Sequence, residues 1–234
     1  MPNLQSLQFD MRGWRVSKAD AHRVVWRRDS SQDAVSLTYF DQPPRLPVDL
    51  GDVDGVRRYY RQGATQQGGG VIEIDVLLRL DLELVRTLFK FPQPPATTVY
   101  LGSINIPFAD FHYVIKVQTK QIGLSTDRDE IVRQELLEAG EISQDPATGQ
   151  LTGWFVDPYD PLILAQVLRS RADDAQYDPR FPDHALTRAR SSLKAITDSL
   201  NLDEELANAD AFSPQAADQR GDGNGQHHTD PDSL

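Results

Sequence analysis

Cysteine is absent from all 234 residues. That absence excludes disulfide cross-links, thiolate metal sites and cysteine nucleophiles together, and it agrees with a reducing, cytoplasmic setting. Long apolar runs are missing too. Apolar residues make up 39% of the chain but are scattered in runs of a few positions, far short of the ~20 that a membrane-spanning helix needs. The opening Met1–Ser6 segment has neither a basic stretch nor an apolar one, so no secretory leader is expected and no membrane partner either. Positive charge is the third shortage. The chain holds 24 Lys and Arg against 35 Asp and Glu, a net of −11, and a chain so charged repels phosphate backbones. Nucleic acid is therefore not expected as a partner, although a local basic patch is compatible with these totals.

What remains is one domain with an appendage. Eight acids and one arginine fall between Asp203 and Leu234, a net of −7 out of the total of −11. After Leu206 the chain loses apolar residues and gains Gly, Asp, Gln and His. Residues 1–206 are read as a single α+β domain and 207–234 as a disordered acidic tail.

Short strands are expected at Gly13–Val16, His22–Arg28 and Ala34–Phe40. Three prolines, Pro43, Pro44 and Pro47, make 41–51 a loop. A helix follows over Asp52–Gln67, with Asp52 as N-cap and Val53, Val56, Tyr59 and Tyr60 on one face; Gly68-Gly69-Gly70 stops it. The strongest β signal is Val71–Leu80, where Ile72, Ile74, Val76, Leu78 and Leu80 alternate with polar residues. A turn at Asp81-Leu82 returns the chain along Glu83–Phe91. A second pair, Thr97–Ile106 and Asp110–Thr119, completes a meander. Thr126–Ala139 is a helix capped by Thr126 and stopped by Gly140, and 141–182 is an irregular insertion. Asp183 caps a last helix, His184–Leu200, whose Leu186, Ala189, Leu193, Ile196 and Leu200 form an amphipathic stripe.

This order resembles the PsbP-like fold group, which includes an extrinsic photosystem protein, a small Ran-GTPase-binding protein and DcrB-type bacterial proteins. The likeness rests on Gly13-Trp14, Trp26, the Val35–Phe40 strand, the Val56–Tyr60 helix, the paired strands at 71–91, and Phe111-His112-Tyr113-Val114-Ile115. It covers residues 9–139 and the helix after Asp183. Two departures stand out: the hairpin Leu80-Asp81-Leu82-Glu83-Leu84 lacks a glycine, and the 141–182 insertion is large for the pattern. The resemblance implies an antiparallel meander sheet packed with helices, an α/β/α sandwich, and an accessory or protein-binding role without catalysis.

No catalytic or metal-binding set is expected, and no cofactor. On the polar face of the meander, an Asp81-Leu82 turn sets Glu83 against Leu80 and Glu73 against Lys90, with Asp75 diagonal to Arg86 and Lys90. Read structurally, these are sheet-stabilising cross-strand pairs. Read functionally, Arg86 and Lys90 join His112 and Lys116 in a site for a small anion, the alternative to the accessory role. Asp110 and His112 share a strand face but have no nucleophile in a suitable frame. His227-His228 among Asp222, Asp230 and Asp232 fits no defined metal geometry. The stretch Trp154–Pro161 sets aromatics between prolines. Trp154 and Tyr159 either pin a long crossing to the core or anchor another protein.

Overall fold

The computed structural model describes residues 2–94, 97–121, 126–163 and 167–214. Seven antiparallel strands form its centre, in the spatial order Arg15–Ala19, Arg23–Arg27, Ala34–Phe40, His112–Gln121, Thr97–Pro107, Leu82–Gln93 and Gly70–Arg79. After a short β1 (Leu7–Gln8) come β2 (Arg15–Ala19), β3 (Arg23–Arg27) and β4 (Ala34–Phe40), followed by helix α1 (Val53–Gln66). The meander is β5 (Gly70–Arg79), β6 (Leu82–Gln93), β7 (Thr97–Pro107) and β8 (His112–Gln121). Helix α2 (Thr126–Glu138) leads into a small hairpin, β9 (Ser143–Gln144) and β10 (Leu151–Thr152). Two 3-10 segments, Arg171–Asp173 and Ala175–Arg180, precede α3 (Ala185–Ser199). The chain closes with β11 (Asn201–Leu202), which pairs with β1, and α4 (Glu204–Ala207). The expected α+β class is observed, with helices on both sides of one antiparallel sheet.

The two helical layers bury different halves of the strand alternation. Helix α3 lays its stripe, Leu186, Ala189, Leu193, Ile196 and Leu200, on Leu84, Leu88, Ile104, Ile115 and Val117. Helix α1 packs Val56, Tyr60 and Ala64 against Ile74, Val85 and Phe89 on the other side. A third cluster joins Val132 and Leu136 of α2 to Ile142, Trp154 and Ala172. The segment read as an irregular insertion thus has a hairpin, two 3-10 turns and a small core of its own shared with α2.

Local chemistry explains most element ends. Asp52 caps α1 by accepting from Gly55 N–H at 2.9 Å. Gly68 ends that helix at φ +74°, while Gly69 and Gly70 answer to packing: a Cβ on either would stand 2.3 Å from the Phe91 ring or 2.5 Å from the Leu168 Cβ. Helix α3 is capped by His184, whose Nδ1 accepts from Leu186 N–H at 3.2 Å, not by Asp183 as its position before the stripe suggested. His184 holds the extended backbone of a cap (φ −66°, ψ 140°). A bulge between Val71 and Glu73 turns Ile72 into the α3-side core, away from Ile74 and Val76.

That bulge and a shifted turn reset the meander register. Arg79 pairs Leu82, so the turn is Leu80-Asp81 rather than Asp81-Leu82, and both residues sit at positive φ, 52° and 60°. Two-residue hairpins favour this twist and usually supply Asn-Gly for it. Asp75 lies directly opposite Arg86, and Glu73 opposite Leu88 instead of Lys90. The body also runs further than Leu206. Ala211 bridges Phe108, Ala109 N–H donates to the Asp210 carbonyl, and Phe212 packs against the α1-side cluster. The tail read as disordered lies outside the described residues from 215 onward. Replacing Leu80 by Asn and Asp81 by Gly is expected to stabilise the fold by about 1–2 kcal/mol, through relief of left-handed strain; urea unfolding checks it.

Candidate interaction surface

The four cations expected to share one site do not share a face. Arg86 and Lys90 project from β6 on the α3 side. His112 and Lys116 project from β8 on the opposite side, in register with Phe40 and Ser36 of β4. A sheet separates the two pairs, so a single anion cannot be held by all four.

The α3-side charges are spent internally. Lys90 is buried and bonds Asp173 at 2.9 Å, itself 1% exposed. Arg86 meets Asp75 at 2.9 Å. Arg190 bonds Glu73 and Asp178. Arg128 of α2, with 2% exposure, is the most enclosed cation among the described residues. It donates to the carbonyls of Ala172 and Asp174 at 2.7 and 2.9 Å and to Thr187 Oγ1 at 3.0 Å, and pairs with Asp178 at 2.8 Å. Asp129 lies beside this network, where burial raises its carboxyl above the ordinary range, and Ser170 Oγ donates to it at 3.0 Å. Burial, aided by the Arg128 cation, lowers the His184 imidazole to about 4 and keeps Nδ1 free to accept as the helix cap. A groove of about 540 Å³ nearby is lined by Arg79, Arg86, Arg190, Lys194, Glu73 and Asp198. Its charges are likewise matched, Lys194 to Asp198 and Arg79 to the Thr197 and Asp198 carbonyls.

Trp154 and Tyr159 serve packing. Trp154 is 5% exposed inside the α2 cluster, beyond reach of another protein. Tyr159 lies against the outer edge of β5. Ile74 N–H donates to its hydroxyl, which donates to the Ile74 carbonyl at 2.9 Å. The Arg57 guanidinium covers its ring at 3.9 Å. Asp157 fixes the approach, accepting from Tyr159 N–H, Asp160 N–H and Arg61.

On the α1 side the cations are of another kind. Cross-strand register puts Arg15 and Lys18 of β2, Arg23 and Arg27 of β3, and Lys116 and Lys120 of β8 on one face, with Val25, Ser36, Thr38 and Gln118 between them. No face position of β2, β3, β4 or β8 carries a carboxylate on this side. The three arginines and one lysine of the β2-β3 end, Arg15, Arg23, Arg27 and Lys18, are exposed. Arg15 meets Asp29 at 2.5 Å, whereas Lys18, Arg23, Arg27 and Lys120 form no ion pair with the described residues. Arg15 and Arg27 are direct cross-strand partners, an arrangement that disfavours the sheet. His112 closes the lower end. Its ring stacks on Phe40 with centroids 4.4 Å apart, and Nδ1 contacts the Gln42 carbonyl at 2.7 Å, so Nδ1 is oriented by backbone. The hollow beside it, about 50 Å³ between Tyr59, Tyr60 and Asn105, suits a water or two rather than a metabolite.

Among the described residues no cluster of three metal-ligating side chains occurs, and no helix is long and apolar enough to cross a membrane. His227 and His228 lie outside the described residues. No protein-family model matches the chain, and no curated protein sequence does. A solved structure from Bacteroides thetaiotaomicron is similar over 52% of this chain and 40% of its own, with 6% identity and a TM-score of 0.32. The chain thus spans less than half the length of that neighbour.

Two outcomes are expected here. Arg128→Met leaves the Ala172 and Asp174 carbonyls without their donor and takes one of two cations from Asp178, which keeps Arg190; the cost is about 2–4 kcal/mol, read as a drop in thermal midpoint. For His184, the folded value lies below the ordinary 6.5. As pH falls from 6.5 toward 4, the unfolded chain takes up a proton that the folded chain refuses. Stability present above 6.5 is lost across that window, on the order of 2 kcal/mol. His184→Asn keeps a cap and removes the titration, so unfolding followed from pH 7 to 4 should show a flatter decline in the variant.

Proposed function

We propose that this protein is a non-catalytic accessory module that holds an acidic protein partner on the cationic face of its sheet. One observation carries the reading: six cations share a face of β2, β3 and β8 with no carboxylate among them, in a chain of net charge −11. Charges that stabilise a fold are normally mixed in sign, as they are on the α3 side. Arg15 has Asp29, but Lys18, Arg23, Arg27 and Lys120 form no ion pair among the described residues, and such a row is suited to an external anion. The acidic remainder of the molecule opposes long phosphate polymers, which collect charge well beyond one face. A protein segment with a local run of Asp or Glu meets the face without meeting that repulsion. The PsbP-like resemblance supports an accessory role, and the cysteine-free composition fits a cytoplasmic one.

The test uses the full chain and its Arg23→Glu/Arg27→Glu variant, both side chains being exposed and without an ion pair among the described residues. Proteins captured from native lysate are quantified against each other. A stoichiometric partner retained by the parent chain, lost about tenfold or more by the variant and released by salt, is the expected result. Equal capture by both chains overturns the proposal.

A further inference from the structure

The seven-stranded sheet has two edges, and they are treated differently. At β5 the Tyr159 hydroxyl satisfies both backbone groups of Ile74, and Leu168 closes on Gly70. At β2 all five residues are exposed. Among the described residues, nothing outside β3 bonds the backbone of Arg15–Ala19. Half of that strand's amides and carbonyls therefore point away from the sheet.

The side chains on this edge select what could pair with it. Arg15 and Lys18 face the cationic side, next to Arg23 and Arg27. Val16 faces the other side, 56% exposed, as the cross-strand partner of Trp26. A second copy of β2 would bring like charges together. A bulge between Val16 and Lys18 adds twist that further discourages such pairing. An extended segment that alternates acidic and apolar residues meets both faces at once. Its carboxylates reach Arg15 and Lys18, and its apolar side chains cover Val16.

We infer that the partner binds by adding an acidic strand to the β2 edge, with its backbone in the ladder and its carboxylates over the cationic face. This rests on the cationic-face reading of function and specifies the form of the ligand: an extended acidic–apolar segment, not a folded acidic surface.

The probe is an alternating Glu-Val peptide of about ten residues, titrated into the full chain by fluorescence anisotropy. Two derivatives carry N-methyl groups on every Glu or on every Val. In a strand, successive residues point their amides to opposite sides, so only one derivative keeps the amides that β2 needs. The expected result is a loss of about tenfold or more for one derivative and near-parent affinity for the other. Equal affinity of the two derivatives, whether kept or lost, overturns strand addition. The cationic face is read out separately: parent-peptide binding that Arg23→Glu/Arg27→Glu leaves unchanged, or no binding at all, overturns that reading and the inference with it.

Discussion

A guanidinium cannot shed its charge, so burying one obliges the surrounding chain to supply acceptors in fixed positions. Arg128 imposes that demand on two other segments. Its partners come from the 3-10 region (the carbonyls of Ala172 and Asp174, and Asp178) and from α3 (Thr187). Asp178 is in turn shared with Arg190 of α3, and Asp173 takes Lys90 from the sheet. The network contributes little net stability, since desolvation offsets most of its attraction. Its effect is on uniqueness: an alternative docking of the 170–184 segment would leave a buried cation without acceptors.

Charge is consequently sorted by layer. Under α3 and the 3-10 turns, cations and carboxylates are matched almost one for one. Asp33, fully buried at the β3-β4 turn, takes both guanidinium branches of Arg188 at 3.0 Å and ties α3 to that end of the sheet as well. The opposite face receives little of this pairing over β2, β3 and β8: Arg15 meets Asp29, while Lys18, Arg23, Arg27 and Lys120 form no ion pair among the described residues, and α1 covers the β5-β6 end. The same strands therefore present a neutralised interior to one side and an excess of positive charge to the other.

Periodicity was sufficient for the elements and insufficient for their partners. The α3 stripe, the α1 cap at Asp52, strand β4 and the meander follow from spacing and capping chemistry alone. The register of the first hairpin did not, because Leu80 and Asp81 occupy positions where glycine or asparagine normally marks the turn. One bulge residue then moved Ile72 to the other core and separated Glu73 from Lys90. The buried network was invisible for a different reason. Arg128, Asp173, Asp178 and Arg190 lie in segments with no shared pattern, and nothing local distinguishes a buried arginine from a surface one. The cationic face was half visible: Arg23 and Arg27 alternate with Val24 and Trp26, but their alignment with Lys116 depends on the long-range pairing of β4 with β8. Trp154 and Tyr159, read as anchors either of the crossing or of another protein, pack against the chain itself.

The asymmetry between the two sheet edges limits assembly. A chain that offered β2 to the β5 of a neighbour would form a head-to-tail contact, and such contacts repeat without end unless geometry closes a ring. The hydroxyl of Tyr159 occupies both backbone groups of Ile74 on the receiving edge. Head-to-tail sheet extension therefore meets an occupied position in mid-strand, at Ile74, and is opposed there by a hydrogen-bonding competitor rather than by charge.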